Sequence, residues 1–96
     1  MVDTKKAYLE KLRAKVDEWN AEINKLKAKA EQAKADTRIE IEKQVGDLEV
    51  QRREVEDKMQ QLHQAGESAW ENLKGGVQRA WENLDQAVKS ASAKFK

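Results

Sequence analysis

KAKAEQAKADTRIEIEKQV, Lys27 to Val45, is the stretch on which the fold turns. A helix that runs through it makes the first two thirds of the chain one long rod, whereas a break inside it leaves three helices of similar length. The apolar steps entering it, Leu26, Ala30 and Ala33, and those leaving it, Thr37, Ile41 and Val45, keep to one helical face. No proline occurs in the chain, and no glycine precedes Gly46. The sequence therefore reads as a continuous helix.

Outward from this stretch the stripe extends in both directions. Leu9, Leu12, Val16, Trp19, Ile23 and Leu26 precede it at heptad spacing, and Leu48, Val55, Met59 and Leu62 follow it. So narrow an apolar seam is buried only by other helices. Between Ala28 and Ala35 the side chains thin to alanine, which allows two backbones to approach closely. The four-residue steps Ala33, Thr37, Ile41 and Val45 form a stutter, which locally unwinds a supercoil. Thr37 with Glu40 also matches a capping box, and a turn made there from Ala35, Asp36 and Thr37 would give a monomeric three-helix bundle, the alternative architecture. Gly46 reads as a close-packing point within the helix.

At His63 to Ser68, HQAGES, the punctuation is plain. Gly66 is placed to end one helix in the left-handed conformation, and Ser68 with Glu71 to start the next as a capping box. The second helix then carries AWENLKGGVQR, Ala69 to Arg79, followed by AWENLDQAVKS, Ala80 to Ser90. Five identical residues recur at a period of eleven, three helical turns, which aligns Trp70 with Trp81, Leu73 with Leu84 and Val77 with Val88. Phe95 prolongs the leucine line. Gly75 and Gly76 interrupt good helix formers, and their expected use is to let a bulky neighbour near the backbone.

The expectation is thus an all-α, single-domain helical coiled coil over residues 1–96: a long helix at about 4–63 capped by Asp3 or Thr4, a turn at about 64–67 and a returning helix at about 68–95. At about 1.5 Å per residue the long helix would span roughly 90 Å and the second about 40 Å, so half of the seam would stay bare. An antiparallel homodimer of such helical hairpins would cover it. Charge agrees with that orientation: Met1 to Lys34 holds nine cations against six acids, and Ala35 to Ala65 holds five against eight. In this arrangement Trp81 returns to the level of Val50, and Trp19 of the second copy joins it in an aromatic cluster. The core and interface set is Leu9, Leu12, Val16, Trp19, Ile23, Leu26, Ala30, Ala33, Ile41, Val45, Leu48, Val55, Met59, Leu62, Trp70, Leu73, Val77, Trp81, Leu84, Val88 and Phe95.

For chemistry the sequence offers little. Charged and hydrophobic residues each make up 39% of the chain, the profile of a coiled coil. A single histidine, His63, cannot supply the paired Glu-x-x-His motifs of a di-iron bundle, and Ser68, Ser90 and Ser92 have no histidine at a useful spacing. No cysteine is present. The reading is therefore no enzyme, with no catalytic, metal or cofactor site. The net charge of +1 and the interleaving of lysines with acids argue against nucleic acid. No signal peptide or membrane span is legible, and the expected location is cytoplasmic.

Two resemblances bear on function. The stretch AYLEKLRAKVDEWNAEINKLKAKA, Ala7 to Ala30, with the tandem AWENL blocks, resembles a group of small bacterial coiled-coil proteins described as stress-response proteins. That likeness implies a bacterial cytoplasmic protein induced under stress and transfers no catalytic residues; the reading of the chain as a whole is a structural or interaction protein, a scaffold or adaptor. The eleven-residue repeats with tryptophan, Ala69 to Phe95, resemble the lipid-binding helices of exchangeable apolipoproteins and imply the alternative, a lipid-surface binder. Against it, the polar face of this helix, with Glu71, Asn72, Lys74, Gln78, Glu82, Asn83 and Asp85, lacks the cation excess that holds a helix on anionic lipid.

Overall fold

The structure, a computed structural model, describes residues 4–95, with all their side chains except those of Thr4 and Glu67. Asp3 lies outside the described residues, and the expected cap at Asp3 or Thr4 goes with it. Three helices follow one another: α1, Thr4–Gln32; α2, Ala35–Gln64; and α3, Glu67–Lys94. Each packs against both others in a bundle of 53 × 19 × 17 Å. α2 runs antiparallel to α1, and α3 returns parallel to α1. Near equality of length lets each helix cover the other two from end to end.

The long helix expected at 4–63 is therefore broken, at Ala33 and Lys34. Burial decides this. A continuous helix would gain the few backbone hydrogen bonds lost at the joint, at about 1 kcal/mol each net. Folding back instead buries Ile41, Val45, Leu48, Val55, Met59 and Leu62 within one chain, at roughly 2 kcal/mol per side chain. The second term is several times the first. A second copy is then not needed to hide the seam. The reversal lies earlier than the turn considered at Ala35 to Thr37, and no capping box makes it: Lys34 is the N-cap, in an extended conformation, without a side-chain hydrogen bond. The apparent stutter is thus a passage between two helices. Thr37, expected in the seam, is exposed.

The second link, Ala65 and Gly66, falls within the expected turn but is built differently. Gly66 has φ −71° and ψ 170°, extended rather than left-handed, and it caps α3 itself in place of Ser68. Its carbonyl accepts from the N–H groups of Ala69 and Trp70. The exposed ends of two helices are closed by lysines of α1 instead. Lys5 Nζ donates to the carbonyls of His63 at 3.0 Å and Ala65 at 2.8 Å, and Lys29 Nζ donates to that of Phe95 at 2.8 Å. A cation at a helix C-terminus meets both the unpaired carbonyls and the negative end of the dipole.

The glycines do not serve close packing. A methyl group built on Gly46, Gly75 or Gly76 would meet nothing within 4 Å. No bulky neighbour approaches there, and all three keep ordinary negative φ.

Candidate interaction surface

The core is apolar throughout, with no buried polar or charged residue among those described. Of the residues expected in it, Leu9, Leu12, Val16, Trp19, Ile23, Leu26 and Ala30 from α1 are buried, as are the six from α2 and Trp70, Val77, Leu84 and Val88 from α3. Leu73, Trp81, Phe95 and Ala33 are half-buried and pack against this core. Ala91, absent from the expected set, is buried as well, three residues beyond Val88; its small side chain gives no signal in the sequence.

Where α1 meets α3, aromatic rings reach the surface. Tyr8 stands between the two repeats of α3, its ring 6.3 Å from that of Trp70 and 6.3 Å from that of Trp81, nearly edge-on to the second. Lys74 Nζ lies 5.3 Å from the ring centre of Tyr8 and 5.2 Å from that of Trp70, and Lys11 Nζ lies 5.4 Å from that of Trp81. The eleven-residue period explains the arrangement: three whole turns of helix return the second tryptophan to the same face, leaving room between the two for a ring from the parallel neighbour. The expected partner of Trp81 was Trp19 near Val50. It is Tyr8 instead, because α3 packs parallel to α1 of its own chain, and Val50 is 57% exposed.

Polar groups tie this face together. Tyr8 Oη donates to Gln78 Oε1 at 3.0 Å, and Gln78 Nε2 donates to Glu82 Oε1 at 3.2 Å. Partial burial, and then the charge of Glu82, push the Tyr8 phenol above its ordinary pKa. Three residues past Glu82 on α3, Asp85 Oδ1 accepts the Nε1–H of the buried Trp19 at 3.1 Å, which satisfies the one polar atom of the indole. Lys89 approaches the other oxygen of Asp85 at 3.0 Å, and Lys15 lies 3.7 Å away. The hydrogen bond from Lys89, then that from Trp19, hold the Asp85 carboxyl below its usual value. Beside them an open groove of about 470 Å³ runs between α1 and α3, and Ser92 Oγ donates to Glu22 Oε2 across its floor at 3.1 Å.

The α1–α2 face is knit by charge. Lys27 pairs with Glu49 at 2.6 Å, which lowers the pKa of Glu49, and Arg52 Nη1 donates to Asn20 Oδ1 at 2.7 Å. The basic first third and acidic second third, expected to match between two copies, already face each other within one chain. His63, at the last turn of α2, is exposed. No group of three or more His, Cys, Asp or Glu side chains that could hold a metal occurs among the described residues, and no helix there is long and apolar enough to cross a membrane.

Comparison with protein-family models, with curated proteins and with solved structures gave no match. The two resemblances therefore rest on the residues quoted for them.

Proposed function

We propose that the chain is a non-enzymatic helical interaction module, a scaffold or adaptor in a stress-related role, whose partners include a second copy laid antiparallel. The observation that carries this reading is where the large apolar side chains lie. The stripes of all three helices are turned inward, and the half-buried aromatic rings are Phe95 at the end of α3 and, where α1 meets α3, Tyr8 and Trp81 under Lys74 and Lys11. Tyrosine and tryptophan are enriched among the residues that carry most of the energy at binding interfaces. The surrounding surface is charged and mixed in sign, which keeps a small bundle soluble and gives a partner orientation rather than affinity.

Attachment to a lipid surface is the second reading, favoured by α3 alone. Its apolar line from Trp70 to Phe95 is continuous, and in the bundle Trp70, Val77, Leu84 and Val88 of that line are buried, so laying the whole line into lipid requires α3 to leave α1 and α2. Tryptophan fluorescence with and without anionic phospholipid vesicles separates the two. Emission already blue-shifted and unmoved by vesicles supports the interaction module, whereas a marked blue shift only with vesicles supports the lipid binder. Light scattering coupled to size-exclusion chromatography tests self-association directly, and a mass of one chain at every concentration refutes that part of the proposal.

A further inference from the structure

We infer that the joint at Ala33–Lys34 lets the bundle exchange α1 with a second copy of itself, by straightening into one continuous helix through α1 and α2. The inference rests on the self-association proposed above and names its mechanism.

At Lys34 the two forms differ in one backbone angle. Lys34 has φ −68° and ψ 161°, so its φ is already helical and its ψ must turn to about −42°. Neither residue of the joint is glycine or proline, and no described residue has positive φ. The flanking residues, from Ala28 to Ala35, are lysines, alanines, Glu31 and Gln32, all strong helix formers. Closed, the joint leaves the first amides of α2 without a side-chain cap, whereas a continuous helix would pair them along its axis.

The phase is right as well. Ala30 and Ile41, both buried, are eleven residues apart, so straightening keeps the stripes of α1 and α2 on one face. In the exchanged pair each α1 would lie on the α2 and α3 of the other copy and remake the contacts it has now. Lys27 with Glu49, Asn20 with Arg52, and Trp19 with Asp85 would become contacts between chains. Short, uncapped hinges of this kind are where identical elements are traded between protomers. Ile39, 64% exposed one turn past the joint, stands next to the point where the two rods would cross. The other link is a poorer candidate for straightening, since glycine is a weak helix former. It contains Gly66, both its residues are extended, and Lys5 bridges the carbonyls on its α2 side.

The test compares the wild-type chain with Ala35→Pro. Proline at the first residue of α2 suits the closed joint, where the residue before it is already extended, but disrupts a helix interior. Each chain is refolded at low and at high concentration and its mass measured by light scattering after size-exclusion chromatography. The wild type is expected to form dimer at high concentration, and Ala35→Pro to lower its association constant by about ten-thousandfold, about a hundredfold at each of two joints. Should the proline variant fold poorly, A33G/K34G, which costs the straight form more because both residues lie inside a helix only there, is expected to be monomeric too. Chains carrying a donor dye at Glu10→Cys or an acceptor at Gln60→Cys, mixed before refolding, are expected to show energy transfer in the dimer. A wild-type dimer that both joint variants preserve, without transfer between chains, overturns the exchange and leaves self-association standing. A wild type that is monomeric at every concentration overturns both.

Discussion

Replacing Gly75 and Gly76 together by alanine is expected to stabilise the bundle. Both lie inside α3, Gly75 exposed and Gly76 half-buried, with nothing within 4 Å of an added methyl in either case. No packing term opposes the change. Alanine in a helix interior is favoured over glycine by about 0.8 to 1.0 kcal/mol, so the pair gains roughly 2 kcal/mol. For a domain of this size 1 kcal/mol moves the midpoint by about 4–8 °C, which puts the expected rise in Tm at roughly 8–16 °C. Circular dichroism during thermal and urea unfolding measures it, and the urea slope should not change, since the surface exposed is the same. A fall in Tm, or a changed slope, would mean that α3 is not a continuous helix through these residues or that something fills the space beside them.

Leu84→Ala, at a fully buried position, is expected to cost about 2–5 kcal/mol, read from the same urea transitions. The single tyrosine makes Tyr8 directly visible by absorbance titration, which should place its ionisation above the ordinary phenol range and move it back down in Glu82→Gln. Because that pKa is raised on folding, the stability Tyr8 contributes is complete below the unfolded value and is lost as pH rises through the folded one. Asp85 has the opposite sign. Its pKa is lowered on folding, so its contribution is complete above the ordinary carboxylate range and is lost as pH falls through the depressed value; Asp85→Asn should flatten the acid side of a Tm-against-pH curve. Lys5→Ala should lower stability by about 1 kcal/mol through the uncovered carbonyls of His63 and Ala65, with the denaturant midpoint as the readout.

What was legible in the sequence was local. Leu9 through Leu26, Ile41 through Leu62 and Trp70 through Val88 are spaced for burial on helices, and spacing of three and four keeps its meaning whether or not the helices are joined. The joint was legible only as the alternative, a turn at Ala35 to Thr37 that would give a three-helix bundle, and its exact place was not, because Ala33 and Lys34 carry no turn chemistry and sit among strong helix formers; long-range burial of the α2 stripe breaks the helix there. Charge pairing was legible as a pattern but not as a partner: Lys27 finds Glu49 across its own hairpin, an arrangement the sequence allowed equally between two copies. The aromatic site shows the same limit. The repeat set Trp70 and Trp81 on one face, yet nothing in the spacing of Tyr8 said that α1 would run parallel to α3 and bring it between them. The closure of helix ends by Lys5 and Lys29 depends on the same tertiary placement, and ordinary surface lysines give no advance sign of it.

Solution X-ray scattering on the dilute chain, with the mass taken from the forward intensity, tests most directly whether the backbone reverses at Ala33–Lys34. For a mass of one chain the bundle predicts a radius of gyration near the 15.5 Å of its Cα trace. A rod of about 60 helical residues, roughly 90 Å long, would give about 25 Å or more at the same mass, and that result would contradict the three-helix fold.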